Sequence, residues 1–329
     1  MQFLAHSQEF EEMLGKLSET VKILSRSGYC VQQIHETGKY ILATKDRTDG
    51  CKLCIKTFDN KPLHKEEFKN HFHILSGGTG GFCWTRNAPA KIIYCYRIAT
   101  NYKYSWIVKE GIAQDLKMKK NGDVLYYRHS KALDDNSQCG ILYSCSMNNS
   151  SWKTISKNHW VRYLNDSFIK YQFTNKSNNY LIINSKDSCS ALLVLENQHV
   201  ELFGNDSFNL ANTAAINSKQ TRFCLREQNL LLVYDLLRKR NTTFKVEPPE
   251  KNTILYYLFS PCDKYLYVFF ENWLQSYHIK SDKEYSFQLP QPFKAIYVLK
   301  EPINLLFQSK LGTLYKVHIS LEKVDFIKI

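Results

Sequence analysis

Asn229-Leu-Leu-Leu-Val-Tyr-Asp-Leu236 returns as Asn272-Trp-Leu-Gln-Ser-Tyr-His-Ile279 and again as Gly312-Thr-Leu-Tyr-Lys-Val-His-Ile319. With Tyr234, Tyr277 and Val317 aligned, the steps are 43 and 40 residues. A self-similarity of about 40 residues is the period of a four-stranded propeller blade. It points to an architecture and leaves the function open.

Upstream of these copies the same two-residue alternation recurs in short runs. Gly38-Lys-Tyr-Ile-Leu-Ala43 is followed, after a polar turn from Asp46 to Gly50, by Leu53, Ile55 and Thr57. Runs of the same kind are Ile92–Tyr96, Asp123–Tyr127, Gly140–Ser144, Val161–Leu164, Tyr180–Ile183 and Ala191–Leu195. Each reads as a short strand bounded by turn residues. The stretch Leu63–Phe82 breaks the pattern and reads as a short helix followed by the flexible turn Ser76-Gly-Gly-Thr-Gly-Gly81.

Ahead of the strands, Phe10, Met13, Leu14, Leu17, Val21 and Leu24 recur at three- and four-residue steps and make one apolar helix face. Ser7 is a candidate cap, Glu9, Glu11 and Glu12 suit the positive end of the helix dipole, and Gly28 can end the helix. Two readings of this face stay open: it packs on the rest of the fold, or it lies in a partner's groove through Phe10, Leu14, Leu17 and Val21.

Leu258-Phe-Ser-Pro-Cys-Asp-Lys-Tyr-Leu-Tyr-Val268 resembles the middle of a WD40 repeat, where such a turn leads from the inner strand to the next. Ser276–Ile279 stands where that family has its third strand. Tyr234-Asp235 takes the place of Trp-Asp in the preceding unit, and Gly38–Ala43 fits the second-strand position. The likeness is good over 222–329 and faint over 29–221; the Gly-His dipeptide and the Trp-Asp pair are both absent. It implies an all-β, WD40-like β-propeller over 29–329, with seven blades as the working count, preceded by an amphipathic helix over 1–28. Closure by one shared blade is expected, because closing the sheet array removes exposed edges. Val324–Ile329 and Tyr29–Ile34 are the candidates to share it. The alternative is a separate α+β unit over 1–90.

The 43% hydrophobic and 14% aromatic content over 329 residues is that of a folded chain with a sizeable core. Nothing at the N-terminus resembles a signal peptide, and no run approaches the roughly 18 apolar residues that span a bilayer. A cytoplasmic or nuclear location without membrane contact is the expectation. The ten cysteines are then reduced core residues. The net charge of +13 invites a nucleic-acid reading, with Lys117, Lys119, Lys120 and Arg238-Lys239-Arg240 as its densest spots. All of these fall where turns are expected, and scattered turn lysine is more often a solvated surface.

Cys51-Lys-Leu-Cys54, with His71 at finger spacing and His64, His73 and Cys83 nearby, is the one metal-like constellation. Zinc needs four converging donors, yet Glu67 occupies the third ligand position, and a strand would send Cys51 and Cys54 to opposite faces. The glycine run lacks the Lys-Ser/Thr and helix of a phosphate loop. No hydrolase, zinc-protease or kinase motif is present.

The sequence therefore points to a noncatalytic protein-interaction scaffold, a subunit of a larger complex, without a cofactor. A nucleic-acid-associated subunit and a zinc-dependent module at 51–83 are the alternatives. Arg238, Arg240 and Trp273, in turns of the clear repeats, are the candidate contacts on the fold itself, because aromatic and Arg anchors dominate interfaces.

Overall fold

The computed structural model describes the backbone of residues 2–329 except 70, 71, 79, 87–91, 108–112, 119–123, 132–136, 147, 148, 163–168, 174–179, 185–188, 196, 197, 206–209, 218–220, 228, 229, 236, 237, 239, 248–253, 261, 282, 301, 302 and 320–322. Side chains are described chiefly over 8–107 and 215–329.

Helix α1 (Gln2–Arg26) begins five residues before the expected cap, so Ser7 lies inside it. Its end is as expected. Gly28 adopts φ 77°, and Tyr29 N–H returns to the Leu24 carbonyl at 2.9 Å, the left-handed termination that glycine favours.

Among the described residues all the remaining elements are strands. Blade 1 comprises β1 (Cys30–Ile34), β2 (Tyr40–Arg47), β3 (Gly50–Thr57) and β4 (Pro62–Phe68). Blade 2 comprises β5 (Phe72–Gly78), β6 (Gly81–Arg86), β7 (Ile92–Arg97) and β8 (Tyr102–Ile107). Blade 3 is β9 (Ala113–Met118), β10 (Val124–Lys131), β11 (Ser137–Ser146) and β12 (Asn149–Arg162). Blade 4 is β13 (Ile169–Phe173), β14 (Tyr180–Asn184), β15 (Cys189–Leu195) and β16 (Gln198–Asn205). Blade 5 has β17 (Leu210–Ile216), β18 (Arg222–Glu227), β19 (Leu230–Asp235) and β20 (Arg240–Lys245). Blade 6 has β21 (Tyr256–Phe259), β22 (Tyr265–Phe269), β23 (Trp273–His278) and β24 (Glu284–Gln288). Blade 7 has β25 (Phe293–Lys300), β26 (Ile303–Ser309), β27 (Leu314–Ile319) and β28 (Val324–Lys328).

Each blade is an antiparallel meander in chain order. The three sequence copies are its third strands β19, β23 and β27, which is why their apolar positions repeat in phase. Leu63–Phe82 holds no helix among its described residues; it contributes β4, β5 and the start of β6. The glycine run does contain a turn, since Gly78 pairs with Gly81 across the β5–β6 hairpin. Gly81 has φ 152°, and a Cβ on it would sit 2.0 Å from the Tyr96 carbonyl oxygen, so glycine serves a close approach within a hairpin.

The first-to-second-strand turn is built alike in blades 1, 5 and 6. His35, Asn217 and Ser260 each donate a backbone N–H to the carbonyl five residues on, at 2.9, 3.0 and 2.8 Å. In blades 1 and 6 the fourth turn residue is left-handed, Gly38 at φ 73° and Asp263 at φ 59°. Both types tolerate that region, which is why the two stretches look alike in sequence.

The chain divides into two units. In the first, made of 1–107, 118–122 and 289–329, blade 1 is buried on both faces. Leu42, Leu53 and Ile55 pack with Phe82, Trp84 and Tyr96 of blade 2. Ile41, Ala43 and Cys54, which alternate with them, pack with α1 and with Tyr297, Leu299, Leu306 and Leu314 of blade 7. The helix thus seals the seam between the first and last blades. The expected strand sharing does not occur: β28 pairs with β27 and β1 with β2, each inside its own blade. The second unit, 108–117 and 123–288, contains a core shared by blades 5 and 6, with Val233, Phe244, Leu266, Phe270 and Tyr277 among its members. Among the described residues no helix is long and apolar enough to cross a membrane.

Candidate interaction surface

In a meander, the first-to-second and third-to-fourth turns fall at one end of the sheet and the second-to-third turn at the other. Arg238 follows β19 and Arg240 opens β20, at the third-to-fourth turn end of blade 5, and both are exposed. Trp273 opens β23 and lies at the opposite end, half-buried against the core of blades 5 and 6. The structure therefore does not bring these three residues together.

The end that carries the arginines is stitched across the two blades. Asp235 accepts Arg222 Nε at 2.9 Å on one carboxylate oxygen and the Arg238 backbone N–H at 3.1 Å on the other. Arg222 Nη1 reaches the Asp263 carbonyl in blade 6 at 3.2 Å. Ile279 N–H then donates to the Lys264 carbonyl at 3.0 Å, joining the two turns of blade 6. At the far end, Arg226 Nη1 makes the equivalent stitch to the Ile254 carbonyl at 2.8 Å.

This network ties the adjacent strand ends of blades 5 and 6 together and occupies the Asp235 carboxylate. Lys264, Lys280 and Lys283 are exposed beside Arg238 and Arg240, and none of the five forms an ion pair among the described residues. Of the described acids here, Asp235 is half-buried and occupied by Arg222, and Asp263 is buried. Glu284 is exposed at this end; it lies 3.4 Å from the Tyr277 hydroxyl, which donates to Gln275 Oε1 at 2.9 Å, and partial burial of its carboxyl raises its pKa. The result is an end with five open cations. On the opposite end Lys245 is paired with Glu247 at 2.9 Å. Arg238 and Arg240 are candidates from the sequence; the three lysines exposed at the same end were not among them. Their signal was the blade register, since each follows a strand that ends at this side.

The helix residues have a different fate. Leu14, Leu17 and Val21 are fully buried in the seam between blades 1 and 7, so no area is left on them for a partner while the helix is seated. Phe10 is half-buried, with Lys316 Nζ 5.7 Å from its ring centroid and Lys316 also paired to Glu11. The packing reading of that face is the one the geometry carries.

At the metal-like constellation, Cys54 faces the helix seam, while Cys51 shares the side of Leu53 and Ile55, facing blade 2. Glu67 is taken by Lys52 and Arg47. His64 packs its ring near Trp84 and Tyr96 at 6.0 and 5.7 Å and meets Glu66 at 3.2 Å. Cys83 lies on β6 between Phe82 and Trp84 and so turns away from the seam they fill. Burial pushes the Cys51 thiol up to about 11, with Asp46 adding to it, and raises Cys54 as well. Side chains on opposite faces of one strand do not converge on a tetrahedral ion. His71 and the His73 side chain lie outside the described residues, as do Lys119, Lys120 and Lys239.

No family model matches the chain, and no curated protein sequence does. Its structure is similar to the β-propeller domain of Cps50 (Swd1) from Myceliophteria thermophila, with a TM-score of 0.57 and 9% identity, covering 89% of this chain and 97% of that one. It is also similar to Sqt1 from Saccharomyces cerevisiae, with a TM-score of 0.60, 10% identity and coverage of 91% and 86%. Hsv2 from Kluyvelomyces marxianus gives 0.57, 10%, 90% and 95%. At such identities the likeness concerns the fold alone, and the fold is a WD40-like β-propeller with an N-terminal helix.

Proposed function

We propose that this chain is a noncatalytic protein-interaction scaffold, a subunit of a larger complex in the cytoplasm or nucleus, with residues 29–329 acting as one propeller and 1–28 as its helix. The observation that supports this reading is the stitched end of blades 5 and 6, where Arg238, Arg240, Lys264, Lys280 and Lys283 are exposed beside the Arg222–Asp235 and Arg222–Asp263 bonds. Display of loops from a rigid frame is how such folds present binding residues. Enzymatic chemistry and a bound cofactor have no place in the proposal. The zinc-dependent module is not retained, because its two cysteines face apart.

The test is affinity purification of the tagged protein from its own cells, with and without nuclease. Arg238→Glu with Arg240→Glu is expected to remove nuclease-resistant partners while the protein stays folded. Partners that persist unchanged would sink the assignment of this surface. A nucleic-acid-associated subunit is the second reading, supported by the same open cations; it requires recovery that collapses with nuclease and falls steeply with salt.

A further inference from the structure

We infer that the binding surface extends from Arg238 and Arg240 across Lys264, Lys280 and Lys283, and that its occupant is an acidic segment of a protein partner. This deepens the scaffold reading above and rests on it. The cations sit at neighbouring strand ends of blades 5 and 6, and Ile279 N–H to Lys264 O (3.0 Å) and Arg222 to the Asp263 carbonyl (3.2 Å) tie those ends together. The surface is thus pre-organised, which lowers the ordering cost of binding. Asp235, the carboxylate closest to Arg238 along the chain, is already occupied by Arg222, so it does not neutralise Arg238 or Arg240; Glu284, exposed beside Lys283, is the one described acid of this end left outside an ion pair.

The chemistry favours carboxylates over nucleic acid. Arg presents a planar fork that matches a carboxylate in two hydrogen bonds, and each lysine adds a point charge. Single-stranded nucleic acid also wants exposed aromatic platforms for its bases. At this end Phe223, Tyr265 and Tyr277 are buried, and Tyr234, His278 and Tyr285 are half-buried, so no described aromatic is open for stacking. The net charge of +13 would steer an acidic partner at long range.

The experiment uses the purified full chain and a fluorescein-labelled decaglutamate peptide at physiological salt, read by anisotropy. Lys264→Glu, Lys280→Glu and Lys283→Glu together are expected to weaken binding by about tenfold or more, since three exposed pairings become repulsions. The glutamine set K264Q/K280Q/K283Q should move the same way by less and stays readable if the reversal set unfolds. The control K39E/K65E/K69E makes the same net-charge change on exposed lysines of the first unit and should leave the affinity within about twofold. Absence of peptide binding, or equal weakening in both sets, overturns the inference. So does a DNA oligonucleotide, single- or double-stranded, that binds more tightly than the peptide and is lost with the same three lysines. If the peptide fails while Arg238→Glu with Arg240→Glu still removes the cellular partners, the acidic chemistry is wrong and the surface stands. If that pair also leaves the partners bound, the scaffold surface itself fails.

Discussion

Ser18 in the helix donates its hydroxyl to the carbonyl oxygen of Ile329 at 2.7 Å, a bond between groups 311 residues apart in sequence. Two turns of chain chemistry meet it. Thr20 Oγ1 donates to the Phe58 carbonyl in blade 1 at 2.7 Å, and Lys316 in blade 7 pairs with Glu11. One helix therefore holds blade 1 on one side and blade 7 on the other, doing by side-chain burial what a shared strand would do by backbone pairing.

Leu17→Ala is expected to destabilise the protein by about 2–5 kcal/mol, because Leu17 is fully buried in that seam. Ser18→Ala should cost about 1 kcal/mol through the lost bond to Ile329. Glu19→Ala, on the exposed side of the same turn, should stay within about 0.5 kcal/mol. Urea unfolding of the three variants checks the order. Equal, small effects would mean the helix is not a fastener.

Two glycine-to-alanine changes should have opposite signs. Gly15 sits mid-helix on the exposed side with nothing within 4 Å of a new Cβ, so Gly15→Ala should stabilise by about 0.5–1 kcal/mol. Gly38 is left-handed, and its Cβ would meet Met13 Cε at 2.8 Å. Met13 can shift, but the backbone strain of about 1–2 kcal/mol remains, so Gly38→Ala should destabilise. Thermal melts of both variants decide it.

Glu66 gives a pH signature. Burial raises its pKa, but the bonds from His64 and Lys103 together outweigh burial and hold it below its usual 4.5. A carboxyl depressed in the fold stabilises above the unfolded pKa, and that contribution is lost as pH falls through the lower folded value. Glu66→Gln should therefore lower the melting temperature at pH 7, with the gap to the parent closing as the pH drops below about 4.5. A gap that does not depend on pH would rule this out.

The repeat and the turn were legible because both are local. Third strands repeat their apolar pattern, and Gly38 and Asp263 mark the same left-handed turn position. What escaped depends on contacts between distant segments. The stripe at Leu14, Leu17 and Val21 announces a face but not what covers it, and here blade 7 covers it from the far end of the sequence. Likewise Arg238 and Trp273 look like neighbours in successive repeats. Only the up-and-down phase of the strands puts them at opposite ends of the sheet. Gly81 ends a run that reads as a flexible turn, yet it serves a close approach to the Tyr96 carbonyl that only the strand pairing reveals.

The thiols offer the last test, which also bears on zinc. Cys30 and Cys262 are exposed, whereas Cys51 and Cys54 are buried. A thiol reacts as its thiolate, and the Cys51 pKa of about 11 leaves almost none at pH 8. Among the described cysteines, alkylation at pH 8 should therefore label Cys30 and Cys262 first, with Cys51 and Cys54 reacting only on unfolding; peptide mapping reads the order. Cys51→Ser should then leave the melting temperature insensitive to a chelator, as the parent should be. Stoichiometric zinc that survives dialysis of the parent and is lost in Cys51→Ser would contradict the opposite-face geometry and bring the finger reading back.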